Sequence, residues 1–392
     1  MHKPVYIVGL GEFFPNAPVS NDQMEDLLGY VNQLPSKTKR RILSSNGILN
    51  RYYAIDPVTK LQTHNNAQIT AAAVKNLVSR VDFNMNDLDV LVCGTSSPDQ
   101  IVPNHAQMVQ GELKAGPFEV VSTAGVCVSG ASSLKYAYLS IAAGVARNAI
   151  ATGSELVSNF FRPENFPTAA KAAVIEDDTA ANVAKPERLP FASEFLRWML
   201  SDGAGAMLLS SEPSSHLPSL KVDFVEILSY SHEQDVCMYL GGLKNFETGK
   251  FTGWRESRDP IEKRLQQGVF SIAQDARQLN ERIMNVTVSQ GIQRVAKKYQ
   301  LSPNKIDWFV PHYSSNYFRE PVFNALKEAN FEIPYERWFS NLTSKGNTGS
   351  ASIYLMLVEM WEKGLLQKGQ KILCYIPESA RFAVSYIHMT VN

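Results

Sequence analysis

Val120-Val121-Ser122-Thr123-Ala124-Gly125-Val126-Cys127-Val128-Ser129-Gly130-Ala131-Ser132-Ser133-Leu134 decides how this chain folds. The stretch reads as the end of a strand, a tight turn and the start of a helix, with Cys127 at the turn. Gly125 lets the backbone bend sharply just before the cysteine. From Ala131 to Ala146 the chain is rich in Ala, Leu and Tyr with few breakers, which predicts a buried helix. A thiol in the first turn of a helix meets the positive end of the backbone dipole, which lowers its pKa and raises its thiolate fraction. That makes Cys127 a candidate nucleophile. A lone cysteine is as often a small buried residue, so the stretch alone leaves both readings open.

Working outward, 392 residues suffice for two domains or one large duplicated fold, and 44% apolar residues support a sizeable core. Lys plus Arg and Asp plus Glu are 38 each, so charge balance offers no argument for nucleic acid or an anionic membrane as partner. Cys93, Cys127, Cys237 and Cys374 are far apart and fit no zinc spacing. Free thiols in a reducing cytoplasm are the simplest reading. Met1-His2-Lys3-Pro4 runs straight into a strand without a signal-peptide pattern, and no apolar run reaches a membrane span. The expectation is a soluble cytoplasmic protein that needs no metal and no cofactor.

Strand and helix alternate on either side of the Cys127 turn. Val5 to Gly11 is an apolar strand; its Gly9-x-Gly11 lacks the third glycine of a dinucleotide loop and leads into a proline loop, so that function is rejected. Asn21 caps a helix over Gln23 to Leu28. Lys37, Lys39, Arg40 and Arg41 form either a solvated basic face or an anion site for a phosphopantetheine or nucleotide phosphate. A helix over Gln68 to Val81, a strand over Leu88 to Thr95 and a helix over Asn104 to Leu113 precede the turn. Asn148 to Glu155 reads as a strand ending in one carboxylate. From Asn159 to Glu194 four prolines break the pattern, which marks an insertion or cap over a site. Ser201-Asp202-Gly203-Ala204-Gly205-Ala206 restores the order, and 214 to 265 is irregular apart from a strand over Ser219 to Ser229.

The alternation then repeats. Val269 to Tyr299 reads as long and helical, Ile306 to Pro311 as a strand, Glu320 to Ala329 as a helix and Thr348 to Trp361 as an apolar helix. Ile372 to Ile376 and Ala383 to His388 close the chain as strands. The two series predict an α/β fold with duplicated architecture, the halves meeting near residue 212. The first half, 1–212, carries Cys127 and the insertion. The second, 213–392, carries His312 after an apolar strand and Asn347 in Gly346-Asn347-Thr348-Gly349-Ser350. Ligand sites in α/β sheets collect beyond the carboxyl ends of strands. A thiolate, an imidazole and an amide gathered there can perform acyl transfer, the first attacking a thioester and the others donating to the oxygen that becomes negative.

These residues resemble the thiolase-fold condensing enzymes, above all the β-ketoacyl-acyl-carrier-protein synthase III group. The resemblance spans nearly the whole chain: Gly47-Ile48-Leu49-Asn50-Arg51, Thr95-Ser96-Ser97-Pro98-Asp99, the Cys127 turn, the Ser201 to Ala206 turn, Pro311-His312 and Gly346-Asn347-Thr348. It implies a five-layered αβαβα thiolase fold from two similar halves, a homodimer paired through about Phe118 to Ser122, and a catalytic triad of Cys127, His312 and Asn347. Acyl-coenzyme A or acyl-carrier-protein thioesters are the implied substrates and an acyl carrier protein the implied partner.

Three departures bear on the substrate. Pro35 to Asn46 lacks the tryptophan that stacks on coenzyme A in many relatives. His312-Tyr313-Ser314-Ser315-Asn316 is one residue longer than the family's pattern, and Asn316 is carried forward as a substrate-binding candidate. Pro377-Glu378-Ser379-Ala380-Arg381-Phe382 replaces a glycine-rich loop that supplies an oxyanion donor, which makes Ser379 and Arg381 substrate-binding candidates. The departures look similar to ketosynthase/cyclases that make dialkylresorcinol, flexirubin-type and stilbene precursors. Ring closure needs a base, and Glu155 is the candidate, with a buried acid satisfied by its neighbours as the other reading. An ordinary chain-initiating synthase and an acyltransferase without condensation stand as alternatives.

Overall fold

The computed structural model describes residues 3–166, 189, 191–215 and 218–392. Nine strands build one mixed sheet. In chain order they are β1 (Tyr6–Phe13), β2 (Val90–Thr95), β3 (Glu119–Ala124), β4 (Asn148–Glu155), β5 (Gly203–Ser210), β6 (Leu220–Ser229), β7 (Trp308–Pro311), β8 (Lys371–Glu378) and β9 (Ala383–Val391). Across the sheet the order is β7-β8-β9-β6-β1-β5-β4-β2-β3.

That order contains one pairing scheme twice. β2 runs parallel to β4, β4 antiparallel to β5, and β5 antiparallel to β1. In the second half β7 runs parallel to β8, β8 antiparallel to β9, and β9 antiparallel to β6. The halves join where Tyr6 and Ile7 of β1 pair with Lys221 and Leu220 of β6. They differ at the outer edge. β3 adds a full parallel strand beside β2. Its counterpart beside β7 is a single parallel bridge between Phe309 and Trp338.

Helices cover both faces. The principal ones are α1 (Asn66–Arg80), α2 (His105–Leu113), α3 (Val128–Ala142), α4 (Phe191–Arg197), α5 (Ala276–Ile283), α6 (Gly291–Tyr299), α7 (Arg319–Glu328) and α8 (Ser352–Glu362). Alternation along each strand sends neighbouring residues to opposite layers. Val92 of β2 and Cys374 of β8 face the central layer, where Leu134 and Ile141 of α3 pack with Tyr354 and Leu357 of α8. Leu91 faces α1 with Val74 and Leu77, and Leu373 faces α6 and α7 with Ile292 and Leu326. The result is helix, sheet, helix, sheet, helix. The central contact is very close: a Cβ on Gly130 of α3 or Gly153 of β4 would overlap the Ser350 carbonyl oxygen just before α8. Only glycine permits that approach.

Several expected elements shift. Asn21 caps no helix: the first helix begins at Met24 without a side-chain cap, and the Asn21 amide oxygen instead accepts from buried Arg51. The helix expected from Val269 begins at Ala276, where Asp275 accepts from the Gln278 N–H at 3.0 Å. Before it, Ala273–Gln274 pairs with Met238–Tyr239, and Met284–Gln290 between α5 and α6 is π-helical. The irregular span 214–265 holds a small hairpin of Gly242–Lys244 with Phe251–Gly253. Of the insertion expected over Asn159 to Glu194, residues 167–188 and 190 lie outside the described residues, and Phe191 onward forms α4.

Candidate active site

Each half delivers its functional side chain at the same place, the turn into its central helix or the end of a strand beside it. β3 ends at Ala124, Gly125 follows at φ +153°, and Cys127 is the N-cap of α3. Asn347 stands four residues before Ala351, the matching N-cap in the second half, in the turn leading to α8. Its Oδ1 accepts from the Gly349 N–H at 2.9 Å, which fixes the amide and leaves Nδ2 as its donor end. Its backbone donates to Met199 O at 3.1 Å and accepts from the Ser201 N–H at 2.8 Å, tying the turn to the first half. His312 follows β7, and its N–H donates to Tyr375 O at 2.8 Å.

Cys127, His312 and Asn347 line one cavity together with Ser96, Glu155, Gln274 and Ser379. Its remaining wall is largely apolar and includes Val126, Met199, Leu200, Ile272, Ile283 and Met284. The His312 Nε2 is buried without a hydrogen-bond partner, and burial pulls the imidazole down to about 4, so the ring is neutral at ordinary pH. A second cavity, lined by Arg41, Ile42, Phe191, Phe195 and Tyr317, shares Met199, Leu279 and Phe318 with the first. Of the basic group read from the sequence, Arg41 reaches that second space.

The thiol does not behave as its place on the helix suggests. Burial pushes Cys127 well above the ordinary thiol range, and the carboxylates of Glu378 and Glu155 push it further. Glu155 is buried at the end of β4. It accepts from Ser96 Oγ at 2.5 Å, Ser97 Oγ at 2.9 Å and the Ser350 N–H at 3.1 Å. Burial raises its pKa and these donors lower it, with burial prevailing. Asp202 works as a structural acid, accepting from Ala54, Val157 and Ser158 N–H groups at 2.7 to 2.9 Å and so joining the end of β4 to the loop before α1. Burial carries it to about 6.

Near the C-terminal turn, Ser379 is in the cavity and its Oγ accepts from Gln274 Nε2 at 2.6 Å. Arg381 is not: it is exposed and donates to Gln234 O at 2.8 Å. Asn316 is also exposed, lying beside Gly47, where it begins a 3-10 turn over Asn316–Phe318 outside the cavity. The sequence reading passed over Gln274, which lay inside a segment taken as helix, and Glu378, whose Oε2 accepts from the N–H groups of Val126 and Val128 at 2.9 Å each. Its signal was there: an acid closing an apolar strand, as Glu155 does. Among the described residues, no group of three or more His, Cys, Asp or Glu is placed to hold a metal, and no helix is long and apolar enough to cross a membrane.

Known proteins are similar to this chain along most of its length. The family described as 3-oxoacyl-[acyl-carrier-protein] synthase III C terminal matches residues 296–375, which contain His312 and Asn347. β-Ketoacyl-[acyl-carrier-protein] synthase III 2 of Halalkalibacterium halodurans is 24% identical over 94% of this chain and 91% of its own. The synthase III of Clostridium perfringens is 23% identical over 95% and 94%. This chain is a synthase III-like condensing enzyme of the thiolase fold. Solved structures agree on the fold. The tetronic acid condensing enzyme AbyA1 superposes with a TM-score of 0.75 at 17% identity over 98% of this chain and 99% of its own. Xanthomonas campestris OleA, solved with bound lauric acid and lauroyl-CoA, gives 0.70 at 17% identity over 100% of both chains. The synthase III of Pseudomonas aeruginosa gives 0.70 at 18% over 99% and 98%.

Proposed function

We propose that the protein is a ketosynthase that condenses two acyl thioesters through an acyl-Cys127 intermediate, one of them a β-ketoacyl thioester, and then closes the product into a cyclohexanedione, dialkylresorcinol or stilbene precursor. The observation that carries the condensation is the convergence of a thiol, an unpartnered imidazole nitrogen and an oriented amide on one apolar-walled cavity. Cys127 Sγ attacks the first thioester carbonyl; the new S–C bond replaces the bond to the departing thiolate, which leaves with the thiol proton. His312 and Asn347 then donate to the oxygen of the second thioester as its enolate forms. The α C–H bond of the second thioester breaks to form that enolate; its carbon attacks the acyl group, the bond to Cys127 Sγ breaks, and the freed sulfur ends with the proton the α-carbon gave up.

Cyclisation needs one further proton acceptor, and Glu155 fills that role in this reading because it lines the same cavity and burial raises its basicity. The second cavity, with Arg41 on its wall, suits the arm of a carrier-protein or coenzyme A thioester. The homodimer forms through β3, an outermost strand with no buried residue. Mass spectrometry of reactions fed a panel of acyl and β-ketoacyl thioesters tests the whole. A product holding both chains supports it, a two-carbon extension supports the chain-initiating alternative, and transfer without extension supports an acyltransferase.

A further inference from the structure

β4 and β8 are equivalent strands, each eight residues long and each ending in a glutamate, Glu155 and Glu378. Each glutamate reaches across to the other half. Glu155 accepts from the Ser350 N–H in the turn that carries Asn347. Glu378 accepts from Val126 and Val128, the N–H groups on either side of Cys127. The two carboxylates are thus exchanged clamps, each holding the opposite half's entry into its central helix. Their surroundings differ. Glu155 has three serine partners. Glu378 has the two backbone N–H groups and, among the described residues, no lysine, arginine or histidine in ion-pair contact.

We propose that Glu378 is a positioning residue for the nucleophile: its carboxylate clamps the Cys127 turn and its charge holds the thiol protonated in the resting enzyme. A helix start ordinarily favours a thiolate. Here one carboxylate oxygen occupies the N–H groups on either side of Cys127, so part of the positive end of α3 is spent on Glu378 and a negative charge stands beside the turn, with the Cys127 N–H left to act the other way. The other titratable groups that share a cavity with Cys127 are Glu155, from β4, His312 and Tyr313, after β7, and Tyr354 of α8. Glu155 acts in the same sense, and His312 is neutral at working pH. Among the described residues, no cation counters the two acids at Cys127. The resting thiol is thereby shielded from oxidants and stray electrophiles, whose attack needs the thiolate.

This rests on Cys127 being the nucleophile, and the test reads the thiol alone. Native enzyme and Glu378→Gln are alkylated with iodoacetamide across a pH series, and Cys127 is followed by peptide mapping. Gln keeps an oxygen that accepts from both N–H groups and removes the charge. The variant should titrate at lower pH, with Cys127 alkylated about tenfold faster at neutral pH, the effect of roughly one pKa unit. Glu155→Gln should move the profile less. Identical profiles for native and Glu378→Gln overturn the proposal, as does a larger shift in Glu155→Gln. Should Glu378→Gln fail to fold, Glu378→Asp takes its place, keeping the charge but drawing it back by one methylene: a midpoint lower than the native one supports the clamp, and an unchanged midpoint overturns it. A failed condensation assay leaves this outcome untouched, and an unchanged profile leaves the condensation reading standing.

Discussion

The two halves of the molecule share one pairing scheme and divide the chemistry between them. The first half keeps all of its strands and places a thiol at the turn into its central helix. The second half reduces the matching outer strand to the Phe309–Trp338 bridge and places an amide at its turn. A strand leading directly into the helix holds Cys127 on a short, stiff arm. A loop in the strand's place gives Asn347 room to fold back on the first half through Met199 and Ser201. The duplicated frame supplies two equivalent helix starts, one carrying the thiol and the other preceded by the amide.

The largest effect should come from the first half. Cys127→Ala should abolish the single acyl adduct seen by intact-protein mass spectrometry after incubation with an acyl thioester; an adduct at the native rate would show that the nucleophile lies elsewhere. In the second half, His312→Ala and Asn347→Ala should still acquire the acyl group but lose about 10²–10³ in carbon–carbon bond formation, as loss of an oxyanion donor does. Normal condensation by either variant would break the division of labour.

How much of this could be read from the chain depends on what each signal encodes. The strand–turn–helix around Cys127 is local, so periodicity and one glycine revealed it. His312 and Asn347 came from the same cue, small or polar residues where an apolar strand or helix stops, supported by the family resemblance. Contacts across the halves were not legible. Glu378 meets a turn some 250 positions away, and attention to the glycines missing from its loop hid the acid that stands there. Asn316 was misplaced because the sequence does not show the turn of 3-10 helix, Asn316–Phe318, that it begins at the surface. The π-helical segment and the start of α5 escaped notice because helical periodicity continues smoothly through both.

Smaller effects sharpen the comparison at the two edges. Trp338 packs on Phe309, Tyr335 and Phe323 where a strand is missing. Trp338→Ala should cost about 3 kcal/mol in urea unfolding, whereas a cost near zero would mean that the bridge carries no structural weight. The intact edge, β3, should pair with a second copy, so light scattering at micromolar concentration should give about twice the 43.6 kDa chain mass. A single-chain mass would count against the dimer. Glu155→Gln should still acylate Cys127 while accumulating open-chain products or their lactones. Native-rate ring closure in that variant would leave Glu155 a purely structural acid.

Acid provides the mildest probe. His105 and His312 are both drawn down to about 4 by burial, from an ordinary value of 6.5. Depressed histidine values mean that the unfolded chain binds more protons, so the stability they contribute is complete above pH 6.5 and is lost as pH falls toward 4. Asp202 runs the opposite way over part of this range: its value is raised to about 6, so it favours the fold below about pH 4 and loses that contribution as pH rises through 6. Thermal midpoints should therefore fall on acidification from pH 6.5, and His105→Gln should flatten the slope. An unchanged slope would remove His105 from the account.

The meeting of Gly130, Gly153 and the Ser350 carbonyl has a consequence for how such an enzyme can change over evolutionary time. Two bare α-carbons and one oxygen set the spacing between the pieces that carry the thiol and the amide. A methyl group at either glycine would wedge them apart, and a displacement of about 1 Å at reacting groups can cost 10²-fold in rate. Neither half can therefore drift alone. A chimera joining the first half of one homologue to the second half of another should work only when both parents keep this three-residue gauge. Variation in substrate choice is correspondingly easier to accommodate in the cavity walls, where a side chain can change size without moving the two pieces.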